Sequence, residues 1–190
     1  AFESNGTTSF LSKLNSPDRA INDNFGYAVS TYGDYLAVGA YLADLNESPD
    51  AGAVYLYNAE ENGSISYLSK LVAPDLNGGD QFGCSLALQG NLLAIGAKYA
   101  NPEGVSAAGA VYIFELDTNG SAVFRSKIFA PDKQVGDRFG VSVALENDLL
   151  IVGSELADFP EANDAGAAYI FELESNGSAT LKTKLVSPDK

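Results

Sequence analysis

The dipeptide Phe-Gly occurs at Phe25-Gly26, Phe82-Gly83 and Phe139-Gly140, each 57 residues after the last. Pro-Asp keeps the same interval at Pro17-Asp18, Pro74-Asp75, Pro131-Asp132 and Pro188-Asp189. Asn-Gly keeps it at Asn5, Asn62, Asn119 and Asn176, and a lysine keeps it at Lys13, Lys70, Lys127 and Lys184. No insertion or deletion breaks this register. A fixed period of this length means one supersecondary unit copied in tandem, each copy covering the apolar face of its neighbour.

Within the unit the residues read as four short strands. The first begins at Phe-Gly (FGYAVSTY, FGCSLALQ, FGVSVALE). A tight turn follows at Gly33-Asp34, Gly90-Asn91 and Asn147-Asp148, residue types that accept positive φ. The second strand is YLAVGA, LLAIGA or LLIVGS, a near-continuous apolar run expected to be buried on both faces. A long polar loop leads to the third strand (AGAVYLY, AGAVYIF, AGAAYIF), and the Asn-Gly turn leads to the fourth, such as ISYLSKLVA. Abundant Gly, Tyr, Phe, Val and Leu, without Met, Trp or His, favours strands and turns over long helices. Four antiparallel strands per unit at this period is the pattern of a β-propeller blade.

The string DNFGYAVSTYGDYLAVGAYLADLNESPDAGAVYLY, with its two later copies, resembles the FG-GAP repeat, the blade of integrin-α-like propellers and of many bacterial and protist surface proteins. The residues that carry the resemblance are Phe25, Gly26 and Gly39, Phe82, Gly83 and Gly96, and Phe139, Gly140 and Gly153. The GAP element is degenerate, as Gly39-Ala40-Tyr41, Gly96-Ala97-Lys98 and Gly153-Ser154-Glu155. Integrin-type repeats place a calcium loop between the FG and GAP strands. Here that connection is a tight turn, so the calcium site does not carry over, and the chain is similar to the short-turn bacterial and protist repeats. The expected fold is all-β: tandem four-stranded antiparallel blades of propeller type. Residues 1–18 form an outer strand of a preceding blade, and complete blades follow at 19–75, 76–132 and 133–190.

Sites are sought in the loops between the second and third strands, where the copies differ most. The first loop places oxygen-bearing side chains at Asp44, Asn46, Ser48 and Asp50, and the third has Asp158, Glu161 and Asp164. Calcium takes several such oxygens. Pro49 stands where an EF-hand needs Gly, so two readings fit these residues: a solvated acidic loop or a Ca2+ site, with no cofactor required by the fold. Asp23, Asp80 and Asp137, two residues before each Phe-Gly, are expected to cap turns. Asn5, Asn46, Asn62, Asn119 and Asn176 each begin Asn-x-Ser/Thr. The Asn-Gly copies read either as favoured hairpin turns or as N-glycan acceptors of a secreted protein.

The formal charge of −14 disfavours nucleic acid and anionic membranes, and no apolar run reaches the length of a membrane span. One cysteine, Cys84, leaves no internal disulfide and reads as a small buried thiol. Without histidine the chain has no His-based general base or Cys-His pair. No enzyme is expected. The chain opens AFESNG, as a processed chain or a segment of a longer one would. Three blades do not close a propeller of about four to eight. Two functions fit: a non-catalytic extracellular adhesion module with a protein or glycan ligand, or a structural repeat of a surface filament or sheath that docks head to tail with copies of itself.

Overall fold

The computed structural model describes residues 10, 12–60, 63–117, 119–159, 163–174 and 177–188. Twelve strands form three four-stranded antiparallel sheets, one per repeat. Blade 1 holds β1 (Val29–Tyr32), β2 (Tyr35–Ala40), β3 (Ala53–Ala59) and β4 (Ile65–Leu71). Blade 2 holds β5 (Phe82–Gln89), β6 (Leu92–Ala97), β7 (Ala110–Leu116) and β8 (Ala122–Ile128). Blade 3 holds β9 (Phe139–Glu146), β10 (Leu149–Ser154), β11 (Ala167–Leu173) and β12 (Ala179–Leu185). Strands within each blade pair in chain order. The only helix among the described residues is one 3-10 turn, Pro102–Gly104. The expected extra N-terminal strand falls mostly outside the described residues. Its end, at Leu14, packs against the buried cluster of Val38, Ala53, Tyr55 and Tyr57, as Phe25, Leu36 and Ile65 do.

Register repeats with the sequence. Val38, Ile95 and Val152 face Tyr55, Tyr112 and Tyr169 across the second and third strands. Each third–fourth strand pair carries one bulge at the same place, after Leu56, Ile113 and Ile170. The tight turns have the expected positive φ, at Gly33 (57°), Gly90 (59°) and Asn147 (53°).

The core lies between blades. Blade 1 contributes Ala37, Val54, Leu56 and Leu71 to one cluster with Phe82, Leu93, Ile95 and Tyr112 of blade 2. Blade 2 then contributes Ala94, Val111, Ile113 and Ile128 to a second with Phe139, Leu150, Val152 and Tyr169 of blade 3. Each Phe-Gly strand wedges against the preceding blade. A Cβ on Gly39 would stand 2.2 Å from the Gly83 carbonyl oxygen, and one on Gly96 2.1 Å from that of Gly140. Only glycine lets the two backbones approach so closely.

Two expectations need correction. The first strand of blade 1 begins at Val29, not at Phe25, whereas β5 and β9 begin at their phenylalanines. Gly26 has no neighbouring blade against it among the described residues, so nothing presses the Phe25-Gly26 segment into the ladder. The apolar second strand is buried on both faces in blade 2 but on one in blade 3. In β10 Leu150 and Val152 are buried while Leu149 and Ile151 are exposed, because among the described residues no blade covers that face.

Candidate functional site

Three features recur at each blade: a clamp on the connector, a closed loop on one rim, and a buried carboxylate between them.

The clamp joins the Pro-Asp connector to the blade that follows it. Tyr55 Oη donates to Asp18 Oδ1 at 2.7 Å, and Lys70 Nζ reaches Asp18 Oδ2 at 2.6 Å. Tyr112 and Lys127 hold Asp75 in the same way at 2.8 and 2.7 Å, and Tyr169 and Lys184 hold Asp132 at 2.9 and 2.8 Å. Burial alone would raise these aspartates. The lysine and tyrosine hydrogen bonds outweigh it and hold all three below the usual carboxylate range. Each lysine also lies over the ring of its clamp tyrosine, 4.9–5.3 Å from the centroid. The recurrent Pro-Asp and Lys were legible as period marks. The tyrosine partner was missed, although its fixed offset of 37 residues from each aspartate was in the sequence.

The long loops close on themselves. Asp44 Oδ1 accepts the Asp50 N–H at 2.9 Å, Asn101 Oδ1 the Ala107 N–H at 2.7 Å, and Asp158 Oδ1 the Asp164 N–H at 2.8 Å. The neutral Asn101 does the same work as the two aspartates. Loop 1 adds a tight Leu45–Ser48 bridge with the exposed Asn46 at its tip. Asp44, Asn46 and Asp50 therefore share one loop, as do Asp158 and Asp164; Glu161 lies outside the described residues. Among the described residues no group of three or more acidic or Cys side chains is arranged to hold a metal.

The aspartates before Phe-Gly are buried. Asp23 Oδ2 accepts the Ala20 N–H at 2.9 Å and Asp137 Oδ2 the Gln134 N–H at 2.7 Å, so these two cap turns as expected. Asp80 accepts no such turn N–H: the donor beside its buried carboxylate is the Asn77 side-chain amide, which also donates to the Asp75 carbonyl at 2.7 Å. Burial pushes the Asp80 carboxyl up to about 6, against the pull of Lys127, and raises Asp137 as well. Cys84 is buried against the Gly140 carbonyl, and burial pushes its thiol up to about 11, out of the nucleophilic range.

Of the sequon asparagines, Asn119 and Asn46 are exposed; Asn5, Asn62 and Asn176 lie outside the described residues. Asp117 Oδ1 fixes the Asn119 turn by accepting the N–H groups of Asn119 and Ser121. Gly120 and Gly177 serve a further purpose. A Cβ on either would meet the preceding blade at 2.5 Å, at Leu68 and at Arg125.

On the rim that bears the long loops, aromatic and cationic side chains interleave across all three blades. Tyr27 packs on Tyr41 with centroids 4.3 Å apart. Lys98 lies over both Tyr41 (5.6 Å) and Tyr99 (5.3 Å), and Arg138 lies over Tyr99 (5.2 Å) while pairing with Glu155 at 2.9 Å. Positions 41, 98 and 155 are equivalent and directly follow the Gly-Ala or Gly-Ser dipeptide.

The sequence profile of the FG-GAP repeat matches the chain three times, over residues 8–57, 66–114 and 123–171. The chain belongs to the FG-GAP repeat family. The second and third FG-GAP matches run from the outer strand of one blade to the third strand of the next, and in all three matches the clamp aspartate and tyrosine fall together. FG-GAP repeats are non-enzymatic interaction modules, typically extracellular. No curated protein matches the chain. Among the described residues no helix is long and apolar enough to cross a membrane.

Proposed function

We propose that this chain is a non-catalytic extracellular binding or adhesion module that takes a protein or glycan ligand on the rim bearing the long loops. The observation that carries this reading is the row Tyr27, Tyr41, Lys98, Tyr99 and Arg138, which spans three blades. Tyrosine and arginine give most contact energy per residue at interfaces, and tyrosine rings also stack on sugars. The loops beside the row differ in sequence but close through one shared hydrogen bond, which suits a rigid frame with a variable surface. The row also gathers two cations on a chain of net charge −14. Binding of fluorescent protein to glycan arrays and to intact cells tests this. The variant Tyr41→Ala/Lys98→Ala/Tyr99→Ala, if it keeps the parent's circular dichroism, should lose at least about tenfold in binding, as two or three lost anchors of about 1 kcal/mol or more imply. Equal binding by parent and variant overturns the reading.

The loop carboxylates act in this proposal as loop closers, with no cation needed, because Asn101 closes its loop without charge. Excess EDTA should leave the melting temperature unchanged; a fall of several degrees, reversed by Ca2+, would install calcium at Asp44, Asn46 and Asp50 or at Asp158, Glu161 and Asp164. If the source secretes the chain through a glycosylating pathway, Asn5, Asn46, Asn62, Asn119 and Asn176 are the candidate acceptors, of which Asn46 and Asn119 are exposed among the described residues, and an intact mass above the sequence mass reports glycosylation. A second reading is a structural repeat of a surface filament or sheath that docks head to tail with its own copies, since at both internal joints one blade of this repeat packs its core against the next.

A further inference from the structure

The rim opposite the long loops carries a cleft at each of the two joints inside the chain. The tight turns of both blades and the Asn-Gly turn of the later blade border it. At the first joint the cleft has a volume of about 420 Å3, with Tyr32, Asp34, Tyr35, Asn58 and Leu68 of blade 1 and Asn119 of blade 2 in its walls. The strand register explains the row of side chains. Tyr32 pairs with Tyr35 and Tyr35 with Asn58, so the three stand on one face at the adjoining ends of β1, β2 and β3. Ser30, two residues before Tyr32, accepts the Leu88 N–H of blade 2, which turns this face toward the joint. Tyr35 is held in place: its ring packs on the joint core, and its hydroxyl reaches the Asp117 carbonyl of blade 2 at 3.4 Å. Tyr32 is 49% exposed. Among the described residues the Tyr32 hydroxyl, the Asp34 carboxylate and the Asn58 and Asn119 side-chain amides have no hydrogen-bond partner.

The second joint repeats the cleft at the same volume, about 420 Å3, but with different chemistry. Leu92 stands in place of Tyr35, Glu115 in place of Asn58, Arg125 in place of Leu68, and Gln89 in place of Tyr32. Arg125 Nε donates to Glu115 Oε2 at 2.6 Å, and Asn91 Nδ2 donates to Glu115 Oε1 at 2.8 Å. The polar groups of the second cleft are thus spent on one another, while those of the first are left for a ligand.

From this contrast we infer that the cleft at the first joint binds a neutral sugar, one pyranose unit of a glycan. The Tyr32 ring offers an apolar surface to the C–H face of a pyranose and a hydroxyl to its edge. Asp34 accepts hydrogen bonds, and the two asparagine amides both accept and donate, which is the mixture that a ring of hydroxyl groups requires. No cation lines the cleft, and the Asp34 carboxylate on a chain of net charge −14 turns away acidic sugars and phosphates. The volume falls within the range of small-molecule pockets, about 300–1,000 Å3. Both walls of the cleft belong to this chain, so it is complete whatever stands beside blades 1 and 3. It is a second site, on the opposite rim from the row Tyr41, Lys98, Tyr99 and Arg138, and it does not depend on that row.

The test is saturation-transfer NMR on the full chain made without N-glycans, since Asn119 lines the cleft. The probes are the methyl glycosides of glucose, galactose, mannose, fucose and N-acetylglucosamine, with glucuronate as the acidic control. Each is added at about 10 mM, enough to fill a site of millimolar Kd. At least one methyl glycoside should receive saturation at its ring protons, and glucuronate should not. Tyr32→Ala should weaken that binding at least about fivefold, as the loss of one aromatic anchor does. Asn58→Ala should weaken it about threefold, as the loss of one hydrogen bond does. Both should keep the parent's circular dichroism. Asn58→Glu/Leu68→Arg copies into the first cleft the pair that fills the second, and it should abolish transfer in a folded chain. Transfer to none of these glycosides overturns the cleft as a sugar site and leaves the long-loop rim untouched. Transfer that survives both Tyr32→Ala and the double variant overturns its placement in this cleft. Transfer removed by Tyr41→Ala/Lys98→Ala/Tyr99→Ala but not by Tyr32→Ala overturns it too, and moves the sugar to the long-loop rim. Transfer to glucuronate as strong as to any neutral glycoside overturns the neutral class.

Discussion

Blades 2 and 3 are built from the same unit, yet β6 is buried on both faces and β10 on one. The sequences LLAIGA and LLIVGS do not foretell this, and the bulkier Ile151 is the exposed residue while Ala94 is buried. Burial in an array of this kind belongs to the joint and not to the strand. Joints should therefore respond to substitution far more strongly than ends, at protein concentrations where the chain is a monomer.

The largest difference is expected at the phenylalanines. Phe82 and Phe139 are fully buried, whereas Phe25 is only partly covered. Phe82→Ala should cost about 3–5 kcal/mol in urea denaturation, as aromatic truncations in cores do, and Phe25→Ala less than half of that. Equal losses would mean that the Phe-Gly strand stabilises its own blade and not the joint. Next come the second-strand glycines. Gly96→Ala forces a methyl group into the Gly140 carbonyl, backbone that cannot step aside, and should cost about 1–3 kcal/mol. Gly153→Ala meets the Ser142 hydroxyl, which can rotate, and should cost under about 1 kcal/mol. Calorimetry reads this as a drop of about 2–4 °C per kcal/mol for a chain of this size.

The smallest effect concerns charge at the first joint. Asp80 is raised to about 6 by burial, so the folded chain binds a proton more readily than the unfolded one. Its ionisation costs stability as pH rises from about 4 to 6, and that cost is fully present above about 6. The clamp aspartates are shifted the other way, so their contribution is present at neutral pH and is lost as pH falls below the ordinary carboxylate value of 3.8. Stability should be greatest near pH 4–5. Asp80→Asn should flatten the decline between pH 4 and 6 by on the order of 1 kcal/mol. A pH profile unchanged by Asp80→Asn would refute this.

The repeat, its four strands and its tight turns were legible because glycine and proline chemistry is local and the three copies check one another. The joints were legible in part: the second-strand glycines read as packing positions, but the carbonyl that each meets is about 44 residues further along the chain. The clamp was harder still. Asp18, Tyr55 and Lys70 lie in three separate segments, and nothing in any one of them marks the contact. The loop aspartates carry two readings. Spacing of oxygens suits a cation, and the same spacing serves a carboxylate that accepts an N–H six residues ahead, as Asn101 does without charge.

The clamp has a consequence for how such arrays change length. Each 57-residue block carries the aspartate that fastens its successor and the tyrosine and lysine that accept its predecessor. Duplicating or losing one whole block therefore leaves every fastening matched. A cut that removes the aspartate but keeps its tyrosine and lysine, or the reverse, would leave one side of a fastening unmatched. Lineages that copy whole blocks can try three, four or six blades without inventing a new joint.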